Sequence, residues 1–102
     1  MYKRQQWEFP GGKIENGESA FDALVREWRE EMGVIVREAQ YLFAFTHTYQ
    51  DRQVALDVWR VIRFEGRPDA LEGQVLRWAD TTTLKTLNFL VGNRQLLRRL
   101  SV

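Results

Sequence analysis

A chain of 102 residues with 44% apolar content, four Trp and six Phe has enough apolar mass for one domain core and too little length for two. The absence of cysteine excludes a disulfide framework and thiolate metal sites, and a formal charge of +1 gives no overall pull toward nucleic acid or membrane. No run of about 18 apolar residues and no signal-peptide pattern occur, so the expected setting is soluble and cytoplasmic.

Met1 to Trp7 is short and basic without a capping or turn signal, and reads as a frayed terminus or the stub of something longer. Phe9-Pro10-Gly11-Gly12 follows, where proline fixes one torsion and two glycines let the backbone approach a ligand. Lys13, Glu15 and Glu18 complete a loop into a helix expected over 19–32. Ser19 is its N-cap, with Asp22 as a partial capping box, and Gly33 is its stop. Phe21, Leu24, Val25, Trp28 and Met32 fall on one face, the buried one. Glu27, Glu30 and Glu31 lie off that stripe. Glu27 and Glu31 stand one turn apart, where like charges repel, so something should offset them. Between Lys13 and Glu31 six acids face three bases, a net of −3 that leaves +4 for the remainder. A solvated helix face with an Arg26–Glu30 ion pair is the plain explanation, and a divalent cation held by hard oxygen ligands is the functional one.

Beyond the helix, Val34 to Val36 is a brief apolar run, and Glu38 to Tyr49 is apolar on both sides, which predicts a central strand. His47, the sole histidine, reads as structural. The polar stretch 50–53 joins this run to an alternating one over 54–64, so the pair should form an antiparallel hairpin. A turn over 65–69 leads to a loop carrying Glu72, a short strand over 75–79, and a helical turn through Leu87 capped by Thr81 to Thr83. Phe89 to Leu100 should close the chain as a helix, with Leu90, Leu96, Leu97 and Leu100 on its apolar side and Arg94, Arg98 and Arg99 exposed. This order of elements gives an α+β or α/β/α class.

Gly12, five residues, Glu18, seven residues, Arg26-Glu27, Trp28, one residue, Glu30-Glu31, one residue, Gly33-Val34 resembles the Nudix box, G-x5-E-x7-R-E-U-x-E-E-x-G-U, at every fixed position. Trp28 is the one mild departure, larger than the usual aliphatic residue. The stretch Trp7 to Glu15, the word Glu72-Gly73-Gln74 and Asn93 resemble the MutT subgroup, the oxidised-nucleotide pyrophosphohydrolases. The resemblance implies a Nudix fold over 1–102, with a mixed sheet between helices and the box at 12–34. It implies Mg²⁺, or Mn²⁺ in its place, on Glu27, Glu30, Glu31, Glu72 and the Gly11 carbonyl. Arg26 would orient Glu27, and either Glu72 or Glu27 would serve as general base. Phe9, Gly12, Lys13, Arg52 and Asn93 are the implied substrate contacts, although an Asn near the start of a helix also suits a cap. The implied reaction is hydrolysis of a nucleoside triphosphate, foremost 8-oxo-dGTP, to the monophosphate and pyrophosphate. A pyrimidine triphosphate, a binding module without catalysis and an inactive truncated remnant are the alternatives. MutT-like proteins carry further strands and an Arg before the Trp-Glu-Phe-Pro-Gly-Gly word, where only six residues stand here. An incomplete sheet is therefore expected, with a possible homodimer through its exposed edge and no direct nucleic-acid binding.

Overall fold

The computed structural model describes residues 6–89 and 91–100, in the order α1 (Ala20–Met32), β1 (Ile35–Tyr49), β2 (Arg52–Glu65), α2 (Thr81–Leu84) and α3 (Val91–Arg99). Pro10–Leu76 forms one compact unit, and the described residues up to Phe9 and from Arg77 onward form another. No helix among the described residues is long and apolar enough to cross a membrane.

In the first unit α1 begins and ends as its sequence demands. Ser19 is extended and its Oγ accepts from the Asp22 N–H at 3.0 Å. Gly33 adopts φ 72°, which turns the chain out of the helix, and its N–H donates to the Arg29 carbonyl at 2.9 Å. The helix packs by aromatic contacts. Phe21 meets Trp59 at 5.8 Å between ring centres and Trp28 meets Phe64 at 6.1 Å, while Ala23, Met32, Val34, Val36 and Val58 are buried. The indole N–H of Trp28 is buried without a hydrogen-bond partner, a desolvated donor at the position where an aliphatic residue is usual.

β1 and β2 form an antiparallel hairpin, and it is tighter than the polar stretch 50–53 suggests. The loop is only Gln50-Asp51, with φ 48° and 62°, while Arg52 and Gln53 already pair with Tyr49 and Thr48. Two positive φ values in a two-residue loop mark the turn whose twist matches the strands, although Asn-Gly is the pair it prefers. The expected central strand is corrected by a bulge. Tyr41 pairs with Trp59 and Phe43 with Val58, so Leu42 is the extra residue, and Leu42 and Phe43 are both half-buried although adjacent. Apolar residues on both sides here record a change of face, since among the described residues β1 pairs with β2 alone. The described sheet is a two-stranded antiparallel ribbon, an isolated parallel bridge joins Trp7 to Phe89, and the α+β class holds.

Three further expectations are corrected in the C-terminal segments. Residues 75–79 form no strand, and Trp78 is 77% exposed. The N-cap of α2 is Asp80, whose carboxylate accepts from the Thr83 N–H at 2.8 Å, instead of a threonine. That bond holds the Asp80 carboxyl below its ordinary range. α3 starts at Val91, because Phe89 is drawn into a parallel bridge with Trp7, whose N–H donates to the Asn88 carbonyl at 2.7 Å. Leu90 and Met1 to Gln5 lie outside the described residues.

Gly33 offers a direct check on the α1 terminus. A Cβ there would stand 3.2 Å from Leu71 Cδ1 in a left-handed backbone. Gly33→Ala is expected to cost about 1–2 kcal/mol from the backbone alone. A shift of the urea midpoint at constant slope measures it.

Candidate functional site

The site grows from α1 and the segments tied to it. Arg26 is its hub. Its Nε donates to Glu18 Oε2 at 2.8 Å, its Nη1 to Glu27 Oε1 at 2.8 Å and Glu30 Oε2 at 3.3 Å, and its Nη2 to Glu18 Oε1 at 3.0 Å and the Lys13 carbonyl at 2.8 Å. Glu15 stands 3.8 Å away. The fork geometry of a guanidinium suits the two oxygens of Glu18, which hold the loop before the helix against it. The Arg26 hydrogen bonds hold the Glu18 carboxyl below its ordinary value, and Glu18 and Glu27 in turn raise the guanidinium above its own. The Arg26–Glu30 pair expected for a solvated helix is therefore present, but it is one arm of a larger network.

Glu27 is fixed from a second side. Gly12 lies against its carboxylate so closely that a Cβ on residue 12 would overlap it. The glycine at this position is thus required by close approach, since its backbone is not in the left-handed region.

Glu31 is half-buried, and its carboxyl is pushed up to about 7. Burial is the largest cause, followed by the charge of Glu27, while the Gly11 N–H acts in the opposite direction and Glu72 adds to the rise. Glu27, Glu72 and the Gly11 N–H are thus all near enough to act on the Glu31 carboxyl. It is the N–H of Gly11 that acts on Glu31 here; the Gly11 carbonyl is the group expected to face a metal.

Glu72 comes near Glu31 because the loop that carries it closes the open end of α1. The last carbonyls of a helix have no partner within it. The Glu31 carbonyl accepts from the Leu71 N–H at 3.1 Å and from Gln74 Nε2 at 3.3 Å, and the Met32 carbonyl accepts from the Asp69 N–H at 3.0 Å. Gln74 Oε1 in turn accepts from the Glu72 N–H at 3.0 Å.

The donor set is all oxygen and rich in like charge, which fits a hard divalent cation. Among the described residues no three acidic or histidine side chains already stand in metal-holding geometry. Glu30 and one oxygen of Glu27 are turned to Arg26, so in this arrangement the guanidinium collects them.

The remaining predicted residues are distributed between the two units. Arg52 is exposed at the first position of β2, beside the hairpin turn, and Lys13 is exposed with its carbonyl on Arg26. In the other unit Phe9 stacks on the buried Phe89 at 5.3 Å, and Asn93 Oδ1 accepts from the Phe9 N–H at 2.7 Å. Asn93 is the third residue of α3 and its oxygen is spent on a residue 84 positions away, so it is not the helix cap. Glu18 and Gln74 are the contributors whose roles sequence reasoning missed. Glu18 was visible as a fixed acid of the box, and Gln74 stood in the quoted Glu72-Gly73-Gln74 word.

Carboxylates along a helix beside a Gly-Gly turn and an acidic loop are the kinds of group that metal-assisted cleavage of a phosphoanhydride uses. The NUDIX domain model matches residues 1–100, and the chain belongs to that family as a Nudix hydrolase. It is 37% identical over 93 residues to the 8-oxo-dGTP diphosphatase of Escherichia coli, covering 91% of this chain and 72% of that one. It is 42% identical over 72 residues to the CTP pyrophosphohydrolase of the same organism, covering 71% and 53%. Among solved structures, one from a study of MutT from Aliivibrio salmonicida and Vibrio cholerae superposes with a TM-score of 0.82 at 36% identity, covering 96% of this chain and 76% of that one. Nudix hydrolases generally need a divalent cation.

Two expected outcomes test this geometry. Gly12→Ala should displace the flexible Glu27 side chain and leave the melting temperature nearly unchanged, while Mn²⁺ affinity falls about 10–100-fold, as for lost support of a metal ligand. Calorimetric titration alongside thermal melts checks the split. The raised Glu31 carboxyl also sets a pH dependence for the metal-free protein. The folded state binds a proton that the unfolded chain has released, so stability is fullest below the ordinary carboxylate range and is lost as pH rises toward about 7. Urea unfolding across that window should show the decline, and Glu31→Gln should flatten it.

Proposed function

We propose that this Nudix hydrolase is a nucleoside triphosphate pyrophosphohydrolase, splitting its substrate into the monophosphate and pyrophosphate with 8-oxo-dGTP as the principal substrate. The observation that carries the reading is the run of carboxylates on α1, with Glu27 held between Arg26 and Gly12 and with Glu27 and Glu72 both acting on the Glu31 carboxyl. The likeness to 8-oxo-dGTP diphosphatases supports the substrate.

Glu27, Glu30, Glu31, Glu72 and the Gly11 carbonyl would hold Mg²⁺, for which Mn²⁺ would substitute. The ion supplies neutralisation of phosphate charge and a lowered pKa for the attacking water. Arg26 keeps the Glu27 carboxylate in one orientation. Glu27 or Glu72 takes the proton of the water, and comparing pH–rate profiles of Glu27→Gln and Glu72→Gln assigns the role. Gly12 and Lys13 face the phosphates, where the bare backbone and the ammonium suit an anion. Phe9 and Asn93 read the base, and Arg52 contacts the nucleotide. With Asn93 Oδ1 on the Phe9 N–H, the Asn93 amide donor is the group offered to a base edge, so the same hydrogen bond also places Phe9. This proposal includes a cytoplasmic setting and a homodimer through the exposed edge of the sheet, whose Tyr41, Val54 and Ile62 are exposed; light scattering reads the dimer.

A pyrimidine triphosphate is the second reading, favoured by the likeness to a CTP pyrophosphohydrolase. A nucleotide panel with Mg²⁺, with and without EDTA, separates the two. Fastest turnover of 8-oxo-dGTP is expected, and a preference for CTP or dCTP would replace the principal reading. Glu27→Gln and Glu31→Gln should each lower kcat by about 10²-fold or more, as for a lost electrostatic contact in the transition state. Near-normal turnover in either would mean the metal is held elsewhere. Asn93→Ala should lower the ratio of kcat/KM for 8-oxo-dGTP over dGTP, since an unpaired base edge costs about 1–3 kcal/mol.

A further inference from the structure

We propose that Gln74 is a positioning residue for the reaction, a two-ended amide clamp that sets Glu72 against Glu31. The inference rests on the reading of Glu72 as a working carboxylate.

The geometry is specific to an amide. Gln74 Nε2 donates to the Glu31 carbonyl at 3.3 Å, and its Oε1 accepts the Glu72 N–H at 3.0 Å. One side chain thus joins the backbone of one acidic residue to the backbone of the other across 41 positions of chain. A carboxylate could accept from Glu72 but could not donate to the Glu31 carbonyl, and a lysine could donate but not accept; only an amide carries both functions on this stem.

The anchor point is also informative. The Glu31 carbonyl is an orphan of the helix terminus and takes two donors, the Leu71 N–H and Gln74 Nε2. The Leu71 bond alone would fix the start of the loop and leave Glu72 and Gly73 to swing, because Gly73 sits at φ 78° and Glu72 is exposed. Gln74 closes the far side, so Glu72 lies between two attachments to the same carbonyl. Gln74 is half-buried while Glu72, Gly73 and Val75 around it are exposed, which sets its side chain apart from an ordinary loop residue.

A clamp of this kind acts on the placement of Glu72, so its removal should be felt where Glu72 is felt and nowhere else. The test is a double-mutant cycle on the full chain with Gln74→Met, Gln74→Ala and Glu72→Gln, read in kcat, KM, Mn²⁺ affinity by electron paramagnetic resonance, and melting temperature. Gln74→Met keeps the volume and removes both hydrogen bonds. It is expected to lower Mn²⁺ affinity about 10–100-fold, as second ligand shells do, and kcat with it, with KM little changed. Gln74→Ala should match it, and neither should worsen Glu72→Gln in the double variant. Losses that add to those of Glu72→Gln, a normal Gln74→Met beside a damaged Gln74→Ala, or normal behaviour of both would overturn the clamp. A silent Glu72→Gln would overturn it by removing the carboxylate it serves. If no nucleotide in the panel is hydrolysed, the Mn²⁺ arm still decides the clamp, so its failure is distinguishable from failure of the proposed reaction.

Discussion

The guanidinium of Arg26 is the constraint on which this unit is built. It binds Glu18 through two oxygens, reaches Glu27 and Glu30 on its own helix and takes the Lys13 carbonyl from the preceding loop. Acids this dense on a short segment would repel, and a compact chain would spread them apart to solvate each one. A delocalised cation with five donors in a plane permits the opposite arrangement. It gathers the acids and also ties the loop over 13–18 to the helix face, so charge compensation and loop placement are one interaction. A lysine would supply its charge from one point, without the fork that meets both Glu18 oxygens and still leaves a donor for the Lys13 carbonyl.

The two ends of α1 extend the same logic. At its start Ser19 caps the helix while Glu18, one residue earlier, is already committed to Arg26, so the entry into the helix is fixed in two ways. At its end the left-handed Gly33 turns the chain into β1, and the carbonyls left without partners recruit the loop over 69–74. Elements distant in sequence are thereby brought to one helix by the ordinary need to satisfy backbone groups. A site assembled on helix termini and a packed helix face inherits their rigidity.

Much of this was legible before any coordinates. The box spacing, the Ser19 cap, the Gly33 stop and the hairpin are each written in one contiguous stretch of the chain. Two of the features that escaped the sequence depend on partners far along the chain. Phe89 reads as the start of a helix until Trp7 pairs with it, and the cap that Asn93 also suits is ruled out only when the Phe9 N–H claims its oxygen. Gln50-Asp51 has no glycine to announce a two-residue turn, so its positive φ values are imposed by strand pairing on both sides. Leu42 and Phe43 looked like the two faces of a central strand because periodicity does not distinguish a bulge from two-sided burial. The threonines at 81–83 outnumber Asp80, yet Asp80 stands at the extended residue where the chain enters the helix, and capping follows backbone position ahead of residue count.

The division of charge between Arg26 and the rest of the cluster bears on where a cation belongs. Glu18, Glu30 and one oxygen of Glu27 are met by the guanidinium. Glu31 is not, and the influences that raise its carboxyl are burial and the neighbouring Glu27 and Glu72, with the Gly11 N–H as the opposing dipole. The cluster therefore has a compensated half, built around Arg26, and a half in which carboxylates face one another. Glu27 belongs to both, with Gly12 pressed against its carboxylate. Protonation of Glu31 is one way to relieve the second half, and a divalent cation is the other, since it replaces several repulsions with attractions to hard oxygen ligands. Arg26 leaves that choice open because its donors are spent on the first half, so the residue that makes the acidic cluster tolerable also keeps it from being neutralised completely.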